Sequence, residues 1–150
     1  MEISTVIRLV PLGAIFNCSF ARMVFESFAH VPVTQELLQH VWEGEQDSTK
    51  GGHRYGLGRL FKTEFPQSWN REHVHLAILK TLSRPQFINR QSRFILCDRE
   101  IENVIVRVVI AEFISHQHIH SVYPVCGEGV FRNDRTGRVA LPLDFYIWKE

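Results

Sequence analysis

Two histidines and a lysine, His40, His53 and Lys62, are separated by a short glycine-rich segment, with Gly51 and Gly52 directly ahead of the second histidine. Two imidazoles and an ammonium make a coherent set for cleaving RNA by internal transesterification. One neutral imidazole takes the proton of the ribose 2′-hydroxyl, and an imidazolium protonates the leaving 5′-oxygen. A lysine stabilises charge on the phosphorane oxygens. The nucleophile is the RNA's own 2′-hydroxyl, and this logic asks for no metal. Gly51 and Gly52 suit it, because N–H groups without a neighbouring Cβ can approach a phosphate and form a small anion-binding nest. A plain turn with His53 on the surface accounts for the same spacing, since histidines beside glycine loops are common.

Other residues compete for attention. His116, His118 and His120 recur at every second position, so on a strand they share one face. Such a row could bind a metal, but no carboxylate or cysteine is spaced beside it, which favours a solvated strand face. His120 adjoins Ser121 and Tyr123. Lys50, Arg54 and Arg59 flank the glycine segment and could contact phosphates or be ordinary surface charge. Thr63 follows the lysine and can orient it or cap the next turn. Phe65 and Trp69 read as core aromatics, and Trp42 as packing behind His40. His73 and His75 fall on the polar side of a helix, and His30 at a helix end.

The chain around these groups is 150 residues long, 45% hydrophobic and 22% charged, with a net charge of +1. That length supports one domain with a sizeable core. Near-neutral charge excludes a broadly basic nucleic-acid binder, so any anion site must be local. Cys18, Cys97 and Cys126 are far apart and form no C-x-x-C pair, which fits buried free thiols better than a zinc ribbon or a redox motif. Val10–Asn17 is apolar but broken by Pro11 and Gly13. Ser19-Phe20-Ala21 after it loosely resembles a leader-cleavage site, but Glu2 offsets Arg8 and the positive flank of a leader is lacking, which favours a segment folded into the domain. No run approaches the ~20 apolar residues of a membrane helix.

The elements follow from periodicity. Phe20, Val24, Phe25 and Phe28 fit an amphipathic helix over 17–30. Thr34 caps a second helix, "TQELLQHVW", with Glu36 in its first turn. Residues 44–58 are polar and glycine-rich and read as a loop. Asn70 starts a third helix, with Val74, Ala77, Ile78 and Leu82 on one face and Pro85 beyond its end. Strands follow at 92–98, 102–113 and 116–125. "NDRTGR" at 133–138 makes a turn, and the tail adds a strand or a packed extension. Helices followed by consecutive strands predict an α+β fold, with N-terminal helices packed on an antiparallel β-sheet.

"HVWEGE" (40–45), "KGGHRYGLGR" (50–59), "KTEFPQSW" (62–69) and "SVYP" (121–124), in this order, resemble the bacterial EndoU ribonuclease domain. The likeness runs from about His40 to Pro124. It implies a barnase-like ribonuclease fold for the domain at 34–150; residues 1–33 match nothing in the family and read, from periodicity, as a helical extension. It implies that His40, His53 and Lys62 are catalytic; Gly51, Gly52 and Thr63, placed beside the substrate by the chemistry above, fall within its motifs. Ser121 and Tyr123 fall on the family's base-holding pair. A tyrosine can stack on a base or ribose, and a serine hydroxyl can hydrogen-bond a pyrimidine edge. The implied activity is cleavage at uridines, leaving 2′,3′-cyclic phosphate and 5′-hydroxyl ends. The implied partners are RNA (tRNA or another single strand) and an immunity protein, with neither DNA nor membrane. No cofactor is implied, although some members are stimulated by manganese. Such domains are commonly toxins, secreted or delivered into a target cell. Two other expectations remain: an inactive EndoU-like module that only binds RNA or a partner, and a metal-dependent hydrolase built on His116, His118 and His120.

Overall fold

A computed structural model describes residues 25–147. Helix α1, Gln35–Trp42, starts where Thr34 adopts an extended backbone and its hydroxyl accepts the Leu37 N–H. This satisfies one of the helix's orphan donors. α1 buries Leu38 and Val41. Helix α2, Arg71–Ser83, is capped in the same way by Asn70, whose side chain accepts the His73 N–H. It buries Val74, Ala77, Ile78, Thr81 and Leu82 and ends just before Pro85, whose ring disfavours helix in the residue ahead of it.

Seven strands form two antiparallel sheets among the described residues. β2 (Phe87–Gln91), β3 (Phe94–Ile101), β4 (Val104–Glu112) and β5 (Gln117–Gly127) lie in sequence order in one sheet. β1 (Thr63–Glu64), β6 (Phe131–Asp134) and β7 (Gly137–Ala140) form the other, with β6 in the centre. The architecture is therefore α+β. α2 packs on β3 and β4, and α1 on β5. The core lies between helices and sheet, where Ile95, Cys97, Val106, Val108, Ile110, Ile119 and Val122 meet Leu38, Val41, Ile78 and Leu82. Cys97 and Cys126 are free and buried; burial pushes the Cys97 thiol up to about 12. Cys18 lies outside the described residues.

Several sequence expectations are corrected. The helix expected over 17–30 does not include residues 25–30, which form a segment without regular structure and a turn; its earlier part lies outside the described residues, as does Val10–Asn17. Phe28 is buried, and its N–H donates to the Leu82 carbonyl at the end of α2. That long-range tether replaces the local ladder a helix would need. His30 sits in the turn, its ring bonded to the Gln117 side chain at 2.7 Å. The strand expected from residue 102 begins at Val104, because Glu102 and Asn103 have φ of 49° and 63°, the paired positive values of a two-residue hairpin turn. β2 was not expected at all. The turn at 133–138 is present as the tip of the β6–β7 hairpin.

Candidate active site

The C-terminal end of α1 carries His40, and the chain returns past it at Gly51 and Gly52. Gly52, His53 and Arg54 donate their N–H groups in succession to the carbonyls of His40, Val41 and Trp42, at 3.0, 2.8 and 3.2 Å. These bonds satisfy helix-end acceptors and lock the two histidines side by side. The pass is too close for any side chain: a Cβ on Gly51 would lie 2.1 Å from the His40 carbonyl oxygen, and its φ is +65°. The glycines thus permit a backbone crossing, and the Gly52 N–H expected at a phosphate is already taken. The intervening loop is held by Arg59, which donates to the carbonyls of Glu45, Asp47 and Lys50 at 2.6, 3.0 and 3.2 Å.

His53 is 5% exposed. Its Nδ1–H donates to the Thr63 carbonyl at 2.7 Å, which leaves Nε2 as the nitrogen bearing a lone pair. Burial pushes the imidazole down to about 4; the Thr63 bond opposes this, and the charges of Lys62, His40 and Arg59 reinforce it. His53 is therefore a neutral acceptor at neutral pH. His40 is more open and differently partnered, its Nδ1 lying 3.0 Å from Glu45 Oε1. A protonated His40 would have that carboxylate to balance its charge.

Lys62 is half-buried. Burial lowers its pKa, the Arg59 charge adds to this, and Asp47 opposes it. Its backbone is clamped between a turn bond to the Arg59 carbonyl and the Asn133 N–H, which donates to the Lys62 carbonyl at 3.0 Å. Glu64, next in β1 and 1% exposed, gathers four donors: the Gly56 and Gly58 N–H groups, Asn133 Nδ2 and Arg138 Nη2, all at 2.8 to 2.9 Å. Burial alone would raise its carboxyl; these donors together hold it below the ordinary value. Between Lys62 and Glu64, Thr63 Oγ1 is buried without a hydrogen-bond partner among the described residues, a group that a bound oxygen could satisfy.

Ser121 and Tyr123 come from β5. His118 and His120 differ from them by an odd number of residues, so a regular strand would place the two pairs on opposite faces. A bulge resolves this: Val109 pairs with Ser121, but the next residue, Ile110, pairs with Ile119. His120 is the extra residue, and both it and Ser121 point away from the core while Ile119 and Val122 point in. Bulges re-aim side chains beside functional sites in this way. Behind Tyr123, the cross-strand row Asp98–Arg107–Tyr123 contains a bidentate pair in which Arg107 donates to both Asp98 oxygens at 2.7 Å. Asp98 is fully buried and also accepts from the Tyr146 hydroxyl at 2.5 Å. The Arg107 guanidinium lies 6.0 Å from the Tyr123 ring centroid, and the Tyr123 ring stacks on His53 at 6.0 Å.

The two histidines, Lys62, Ser121 and Tyr123 open onto one cleft of about 700 Å³. Its walls include His40, Gly51, His53, Lys62, Thr63, Ser121 and Tyr123, with Lys50 and His120. Gly52 sits behind the wall. Arg54 pairs with Glu43 and Arg59 with loop carbonyls, so both are structural. Phe65 and Trp69 are core residues, as expected. His75 is mostly covered, and His73 stacks on Trp69 at 4.3 Å. His116 and His118 lie outside the cleft, and no three His, Cys, Asp or Glu side chains among the described residues converge as a metal-binding group. Sequence reasoning missed Glu45, Glu64 and Phe61. Phe61 stands on the cleft wall, 57% exposed, with φ of 62°. Glu45 falls within the "HVWEGE" segment, and a carboxylate five residues after a histidine was the available signal. Among the described residues, no helix is long and apolar enough to cross a membrane. Compared with protein-family models, curated proteins and solved structures, the chain has no match in any of the three.

Proposed function

We propose that the chain is an EndoU-type endoribonuclease of barnase-like fold that cleaves single-stranded RNA at uridines without needing a metal. The observation that carries this reading is the contrast between the two histidines. His53 is buried and neutral, with Nδ1–H bound to a carbonyl and Nε2 left as acceptor. His40 is more exposed and rests on the Glu45 carboxylate. That contrast supports His53 as base and His40 as acid. The uridine sits on Tyr123, with Ser121 at the edge of its base. The 2′-hydroxyl gives its proton to His53 Nε2 and its oxygen attacks the adjacent phosphorus. The P–O5′ bond breaks as His40 protonates the departing oxygen, leaving a 2′,3′-cyclic phosphate and a 5′-hydroxyl. Lys62 offsets charge on the non-bridging oxygens. The motif order adds a role as a delivered toxin with a cognate immunity protein, acting on tRNA or another accessible RNA.

The test uses an RNA oligonucleotide with a single uridine and its 2′-deoxyuridine twin, with products identified by mass spectrometry. Cleavage of the ribose form alone, to a cyclic phosphate, is expected, along with a loss of about 10²–10⁴ in rate for His53→Ala. Cleavage of both substrates would overturn the transesterification, and cleavage of neither would overturn the enzyme.

A further inference from the structure

The outer face of β5 carries a row of planar side chains that leads out of the cleft, and the catalytic groups do not use it. His120 lines the cleft and packs on Phe94 at 5.1 Å. The Arg93 guanidinium lies 5.4 Å from the Phe94 ring centroid. Two residues further from the cleft, about 7 Å along the strand, His118 stacks on Phe113 at 5.4 Å with planes 12° apart. Phe113 also stacks on His116 at 5.0 Å. Phe113 is 42% exposed at the β4–β5 hairpin tip. The nearby acidic group, Glu112, is engaged by the Gln117 amide at 2.6 Å.

We infer that this row, His120–Phe94 followed by His118–Phe113–His116, is a stacking track for the nucleotides flanking the scissile residue in single-stranded RNA. The inference rests on the ribonuclease reading of the cleft. Three features select the occupant. The track is continuous with the cleft through His120, which belongs to both. Its surfaces are flat rings, on which any base can stack regardless of sequence. Its fixed charge is Arg93, a guanidinium suited to a phosphate or a base plane. The bulge makes the joint, because it lets His120 face outward beside Ser121 without displacing either neighbour.

The test compares kcat/KM for a uridine-containing dinucleotide and for a single-stranded decamer with one central uridine. The proteins are the unaltered chain, His118→Ala, Phe113→Ala and His118→Phe, the last retaining a plane. The preference for the decamer over the dinucleotide should fall about tenfold in each alanine variant, the size of one lost base stack, and should persist in His118→Phe. An unchanged preference in both alanine variants, including equal loss on both substrates, would overturn the track. If the unaltered protein cleaves neither substrate, the ribonuclease reading fails on its own account. Fluorescence anisotropy of the labelled decamer then decides: binding about tenfold weaker in His118→Ala supports the track, and equal binding overturns it.

Discussion

Protonating His53 should cost folding stability in an amount that the site geometry sets. In the folded chain the imidazole is pushed from 6.5 to about 4, chiefly by burial. The unfolded chain keeps it near 6.5, so between these values the unfolded state binds a proton that the folded state refuses. Stability is full above pH 6.5 and falls as pH drops toward 4. The complete gap corresponds to about 3 kcal/mol, of which ~2 kcal/mol is lost between pH 7 and pH 5. Urea unfolding followed by tryptophan fluorescence at those two pH values measures it in the unaltered protein and in His53→Asn. The asparagine amide can replace Nδ1–H on the Thr63 carbonyl but does not titrate. Carboxylates such as Glu64, held below their ordinary values, lose their contribution on acidification equally in both proteins and cancel. The unaltered protein should lose ~2 kcal/mol more than His53→Asn. Losses equal to within ~0.5 kcal/mol would show that His53 carries no depressed pKa, and would remove the basis for naming it the base.

On the proposed ribonuclease reading the same depression sets the acid limb: kcat/KM on a uridine oligonucleotide should fall near pH 4, and a limb centred on pH 6 to 7 would refute His53 as base. Gly51→Ala should be at least ~2 kcal/mol more destabilising in thermal or urea melts than Gly56→Ala. Both have positive φ, but a Cβ at Gly51 meets the His40 carbonyl at 2.1 Å and one at Gly56 meets nothing within 4 Å. Asp98→Ala should cost about 3–5 kcal/mol by urea unfolding, since it strands the Arg107 guanidinium beneath Tyr123; a loss below ~1 kcal/mol would show the pair to be unimportant.

α2 was legible because its cap at Asn70, its apolar face and the stop at Pro85 all agree, and the structure uses each of them. β3, β4 and β5 were legible from their apolar, β-branched runs. β2 was not, because "FINRQ" is polar and none of its residues is fully buried; its strand state comes from pairing with β3. Most residues that line the cleft were named from motif and chemistry, Glu45 and Phe61 among the exceptions, but their arrangement was hidden. The face on which Ser121 lies depends on a bulge that alternation cannot reveal. The tautomer of His53 depends on a carbonyl ten residues away, across a loop, and its neutrality on burial. The glycine pair signalled close approach, yet residue type alone does not say whether the approaching partner is a phosphate or, as here, the end of α1.

Glu64 also imposes an order on the birth of the site. Its carboxylate collects donors from Gly56 and Gly58 and from Asn133 and Arg138, and Asn133 also clamps the backbone of Phe61 and Lys62. A ribosome makes His40, His53, Lys62, Ser121 and Tyr123 before it makes any part of β6 or β7. Until that hairpin emerges, the lysine wall has no partner strand, and Glu64 is a buried-to-be carboxylate short of two donors. A chain stopped at Val130 should therefore hold all five groups and still cleave poorly in a uridine-oligonucleotide assay, with activity returning when residues 131–147 are restored. If the ribonuclease reading holds, the nascent chain, surrounded by ribosomal RNA, would be disarmed by its own incompleteness.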